Sequence, residues 1–141
     1  MRSGIIALAC LTVVGLVSGC ATPKGPVDPA ASLAAKARVA DTVFVGEAGG
    51  WKTILKPRKD GILEFASSVG NSLGQKATKF SDPGLSMQTL PVTITGTAAG
   101  EIYMDFRTKH DSLFPLVSRD GGKTFTGRTN KGHSVTLEAA G

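Results

Sequence analysis

The sequence predicts a mainly β protein: a small antiparallel barrel or sandwich of about eight short strands, preceded by a short helix. Three observations carry that expectation. From Asp41 onward, short runs rich in β-formers replace any helical periodicity, the clearest of them alternating apolar and polar residues. Between the runs stand segments of turn chemistry, such as GEAGG, PRKDG, SDPG, TAAG and RDGG. Glycine (18) and proline (7) outnumber the aromatics (Phe 6, Trp 1, Tyr 1), which favours many short turns over long helices.

The runs, in order, are TVFV, WKTILK, ILEFA, MQTLPVTIT, EIYMDFRT, FPLVS, KTFTGRT and SVTLEA. In the fifth, Ile102, Met104 and Phe106 fall on one face, and Glu101, Tyr103, Asp105 and Arg107 on the other, so one face is buried and one is wet. Val135 and Leu137 repeat the pattern in the last run. Pro91 interrupts the fourth, which predicts an edge or a bulge because proline cannot donate to a ladder. Trp51, the single tryptophan, is expected to plug one end of the barrel; the alternative is an aromatic ligand platform.

The N-terminus has a different logic. Met1-Arg2-Ser3 is a short basic start, and Ile5 to Val17 is an apolar run shorter than the about 20 residues a helix needs to cross a bilayer. It ends in Val17-Ser18-Gly19-Cys20, which resembles the lipobox of bacterial lipoproteins. The resemblance implies that the Cys20 thiol receives a diacylglyceryl group, that the leader is cut before Cys20, and that the new amine is acylated as well. Two or three acyl chains anchor a protein stably where one does not. Ala21 rather than aspartate follows the cysteine, which in Gram-negative members implies sorting to the outer membrane.

After Cys20, ATPKGPVDPA carries three spaced prolines and reads as an extended tether. Asp28-Pro29 then supplies an N-cap acceptor and a proline at the first helical position, and AASLAAKARVA continues with strong helix formers. Its mostly alanine stripe predicts thin packing. The organisation expected is therefore a signal peptide over 1–19, lipidated cysteine, tether and helix over 20–40, and a β domain over 41–141, which contains no cysteine.

Ser118 to Phe125 (SRDGGKTF) resembles the Asp-box hairpin found repeatedly in sialidase-type propellers. Ser118, Asp120, Gly122, Thr124 and Phe125 fall on the pattern, which implies a turn organised by Asp120 with Phe125 packed inward, away from any catalysis. His110 and His133 are both placed in turns and are expected to be exposed. Neither they nor Asp105, Asp111 and Asp120 have a metal-ligand spacing, and nothing like a nucleophile motif surrounds Ser112 or Ser134.

The net charge is +5. Cations are scattered except for Arg107, Lys109, Arg119, Lys123, Arg128 and Lys131, which face only Asp111 and Asp120 in the same stretch. Without interleaved aromatics they do not predict nucleic-acid binding; they are a candidate patch for an anionic cell-wall polymer or envelope protein. The expectation is an outer-membrane lipoprotein facing the periplasm, without a cofactor other than the covalent lipid, whose β module binds or supports rather than catalyses. The arrangement of lipobox, short linker and about eight strands is similar to that of membrane-bound lysozyme inhibitors, without their cysteines, so inhibition of an envelope enzyme is the alternative; a small cell-wall hydrolase is a more distant one. Because serine cannot form the thioether, Cys20→Ser is expected to move the protein from the membrane to the soluble fraction of fractionated cells, with no acyl mass found by mass spectrometry.

Overall fold

The computed structural model describes residues 26–68 and 78–140. The leader, the lipobox and the first part of the tether lie outside the described residues. Helix α1 spans Pro29–Val39, and nine strands follow: β1 (Phe44–Ala48), β2 (Trp51–Pro57), β3 (Ile62–Ser68), β4 (Leu85–Pro91), β5 (Thr93–Gly96), β6 (Ile102–Arg107), β7 (Leu113–Ser118), β8 (Thr124–Arg128) and β9 (Ser134–Ala139). They form one antiparallel sheet in the order β4-β3-β2-β1-β9-β8-β7-β6-β5.

The two outer members of that order are consecutive in the chain, separated by Val92 alone. Leu85–Gly96 is thus one bent strand: its first half pairs with β3 and its second half with β6. The sheet comes round on itself into a nearly closed barrel, and the expected run MQTLPVTIT is split at the proline that predicted a discontinuity. At the bend, Val92 donates its N–H to the Gly61 carbonyl at 3.0 Å. Between β4 and β6 there is no ladder. Gln88 crosses this seam, its Oε1 accepting the N–H of Lys109 at 2.9 Å.

Inward-facing side chains fill the barrel. Phe44, Leu55, Leu63, Phe65, Met104, Leu116, Phe125 and Leu137 are all within 2 % of full burial. Phe44 and Phe125 meet edge to face at 5.2 Å toward the helix end, while Phe65, Phe106 and Phe114 cluster with centroids 4.8 to 5.5 Å apart toward the other. Two inter-strand approaches are so close that no side chain fits: a Cβ on Gly46 would strike the Thr136 carbonyl, and one on Gly127 the Pro115 carbonyl.

Helix α1 closes one end. Asp28 caps it, Oδ2 accepting from the Ala31 N–H at 2.8 Å, with Pro29 as the first helical residue. Asp28 N–H donates to the Gly96 carbonyl, and Gly96 N–H donates to Ser32 Oγ, each at 2.9 Å. Ala35 and Val39 join the barrel core. The alanine stripe that predicted thin packing is what permits close approach, since the helix backbone at Ala31 lies directly against Gly96. Val27 bridges Thr97, the earliest pairing in the chain among the described residues.

A second small core lies outside the barrel, where Ile54 and Ala66 are buried beneath Val43, Val45, Phe80 and Leu85. Tyr103, expected on the wet face, is 7 % exposed. It sits between Thr95 and Val117 on neighbouring strands, and its hydroxyl donates to Glu101 Oε1 at 3.0 Å.

The β7–β8 turn is the hairpin that Ser118 to Phe125 implied. Asp120 Oδ1 accepts from the N–H groups of Thr124 (2.9 Å) and Lys123 (3.1 Å) and from the Ser118 hydroxyl (2.8 Å). Gly121 and Gly122 take φ of 78° and 90°, which side-chain-bearing residues rarely adopt. Those bonds, the Thr124 N–H first and the Ser118 hydroxyl next, hold the Asp120 carboxyl at about 2. A depressed folded-state pKa stabilises above the ordinary carboxylate range and stops doing so as pH falls through the folded value. Asp120→Ala is therefore expected to lower the melting temperature at neutral pH, with the gap to the parent closing toward pH of about 2. Phe125→Ala, which empties the core beside Phe44, is expected to cost about 3–5 kcal/mol in urea unfolding.

Candidate functional site at the barrel mouth

The end opposite α1 is built from turns. Two of them, β6–β7 and β8–β9, share one local design. Each opens on a buried threonine, Thr108 or Thr129, whose Oγ1 accepts the N–H of the residue four places on, Ser112 or His133, at 3.1 Å. The threonine N–H returns the bond to the carbonyl of that same residue at 2.9 Å. Asp111 and Gly132 occupy the same place in each turn with φ of 62° and 88°. Asn130 joins the two turns, donating to the Asp111 carbonyl at 3.1 Å and accepting from the Leu113 N–H at 2.8 Å. Lys131 Nζ adds a bond to the His110 carbonyl at 2.6 Å.

Clamped in this way, the turns bring His110 and His133 to the rim of one cavity of about 150 Å³. Phe65 and Phe114 form its apolar base, and Ala48 and Thr53 support Trp51 above them. The Trp51 ring lies 5.8 Å from that of His133, tilted by 33°. Trp51 does not plug the barrel: it is 43 % exposed. The phenylalanine cluster already fills the interior below it, and the plug is α1 at the other end. Polar groups complete the lining, with Ser67, Gln88, Thr108, Ser112 and Lys131, and no carboxylate stands among the described lining residues.

The six cations set out from the sequence fall at both ends of the barrel. Arg107, Lys109, Arg128 and Lys131 lie at the mouth, in or beside the two clamped turns, whereas Arg119 and Lys123 lie in the β7–β8 turn at the helix end. Several are engaged locally: Arg107 with Asp111 (3.3 Å), Arg128 with the Gly132 carbonyl (2.9 Å) and Arg119 with Glu101 (3.1 Å). Four of the six thus lie at the mouth end, and of these Lys131 lines the aromatic cavity.

The candidate acids are dispersed. Asp120 is consumed by its hairpin. Asp105 sits on the outer wall in a shallow groove with Pro91, Leu113 and Pro115, where burial raises its carboxyl above the ordinary range. Asp111 pairs with Arg107. Among the described residues no three His, Cys, Asp or Glu side chains converge as a metal-binding group. His110 and His133 are exposed and in turns, as expected, but they are not independent of each other. Their convergence could have been found from the paired Thr-x-x-x-x spacing of TKHDS and TNKGH, which marks two equivalent turns.

No known protein family, curated protein or solved structure matches this chain in comparison.

The Gln88–Lys109 bond is the polar tie across the seam beneath this site. Gln88→Leu leaves that part-buried N–H without its partner and is expected to lower stability by about 1–3 kcal/mol in chemical unfolding.

Proposed function

We propose that this chain is a lipid-anchored, non-catalytic binding module of the bacterial outer membrane, which uses its barrel mouth to hold an anionic component of the envelope. One observation carries the reading: an exposed tryptophan, braced by histidine, stands over a donor-lined cavity that has cations at its rim and no carboxylate among the described lining residues. Exposed aromatic surface beside convergent polar groups is the ordinary make-up of a recognition site. A hydrolase of the histidine-dependent kind would want an acid beside its imidazole to orient it, and the described lining offers hydroxyls, the Gln88 amide and the Lys131 ammonium but no carboxylate.

The placement of the ends supports the same reading. Val27, among the first described residues, pairs with Thr97 on the helix side, so an anchor at Cys20, a few residues earlier in the chain, would attach nearer that end than the mouth. An anchored barrel then holds α1 toward the bilayer and Trp51 away from it, where wall polymers and soluble envelope partners are met.

Retention on purified cell wall is expected to fall as salt rises from low to moderate concentration, since rim cations are screened over about 8 Å at physiological ionic strength. Trp51→Ala is expected to weaken retention at least tenfold with an unchanged melting temperature. Retention indifferent to both salt and Trp51 would refute the assignment.

A further inference from the structure

We propose that the mouth cavity is a subsite for a single acidic sugar, a ring that bears a carboxylate. The inference deepens the binding reading above and rests on it. Its starting point is Gln88, 9 % exposed and lining the cavity. The Lys109 N–H can only donate, so the carboxamide oxygen must be the atom that faces it at 2.9 Å, and the amide orientation is thereby fixed. The Gln88 NH₂ is left with no hydrogen-bond partner among the described residues. A buried donor without a partner is costly, and a site built to receive an acceptor is where such a donor is retained. The Ser67 and Ser112 hydroxyls and the Lys131 ammonium stand in the same lining, which marks the occupant as rich in acceptors and negatively charged.

The rest of the cavity asks for something else. Trp51, Phe65 and Phe114 present apolar ring surface, and about 150 Å³ is the room of one six-membered ring; an apolar cavity of about this size takes up benzene. A pyranose has the required pair of properties, a C–H face that lies on an aromatic ring and an edge of oxygens. A carboxylate substituent answers the Lys131 ammonium in the lining. A peptide C-terminus supplies the charge without the flat apolar face.

Trp51 is the single tryptophan, so its fluorescence reports occupancy of the mature protein directly. The probes are N-acetylglucosamine and its 3-O-lactyl ether, N-acetylmuramic acid, which differ by the carboxylate-bearing arm. The acid is expected to change the emission saturably and to bind at least tenfold more tightly than the neutral sugar. Gln88→Glu keeps an oxygen for Lys109 and replaces the amide donor by an anionic acceptor; it should weaken the acid at least tenfold and the neutral sugar little. Should that variant fail to fold, Lys131→Gln is expected to erase most of the preference for the acid. Equal binding of the two sugars overturns the proposal, as does a response only to a short peptide with a free C-terminal carboxylate. Absence of any sugar response while wall retention still depends on Trp51 overturns the sugar alone; absence of both overturns the binding reading beneath it.

Discussion

A sheet closes on itself only when its two edges are brought together, and here one strand makes both edges. The bend at Pro91 and Val92 lets Leu85–Gly96 pair with β3 before it and β6 after it. Everything else follows from that turn of the chain. Closure removes the long unpaired edges that an open sheet of this size would offer to other molecules. It also leaves a short stretch in which β4 and β6 lie side by side without a ladder, and a backbone N–H at the mouth is satisfied by a side chain instead of a strand. Gln88 therefore belongs to both the fold and the cavity, its oxygen tied to Lys109 and its side chain part of the lining.

The barrel's two ends are finished by different means. At one, a helix of small residues lies flat across the opening, held by backbone bonds to Gly96 and by Ala35 and Val39 in the core. At the other, three phenylalanines fill the interior to just below the rim, and the turns above them are tied to one another rather than packed down. The first arrangement covers the core with helix; the second keeps a small vestibule with an apolar floor and a polar wall. That asymmetry gives the molecule a direction, and the first described residues lie at its closed end.

Much of the fold was legible because local rules decided it. The strand runs, the Asp28 cap, the break at Pro91 and the Asp120 hairpin are each settled by a few neighbouring residues and their backbone preferences. The site was not legible in the same way, since its parts come from separate elements: Trp51 at the start of β2, Gln88 on β4, the histidines on the β6–β7 and β8–β9 turns. The grouping of cations shows the reason. Consecutive turns of an antiparallel meander alternate between the two ends, so a cluster that spans three successive turns in sequence must be divided in space. Arg119 and Lys123 belong to the middle turn and are sent to the helix end, while Arg107, Lys109, Arg128 and Lys131 stay together. Tyr103 was misplaced by a related shortcut, because alternation separates two faces but does not say that the outer one is open to water. Trp51 was misjudged because the phenylalanines that occupy the interior come from β3, β6 and β7, none of which adjoins it in sequence.

The bare glycines at 46 and 127 let neighbouring strands of this barrel approach closely. At each, a neighbouring carbonyl occupies the space where a β-carbon would stand, so even alanine would force that pair of strands apart. A distant cousin of this chain could exchange almost every surface residue and many core ones by compensated repacking, yet it would have to keep those two positions empty. Their spacing relative to a proline-bent strand is thus a fingerprint by which kin could be found after overall resemblance has faded.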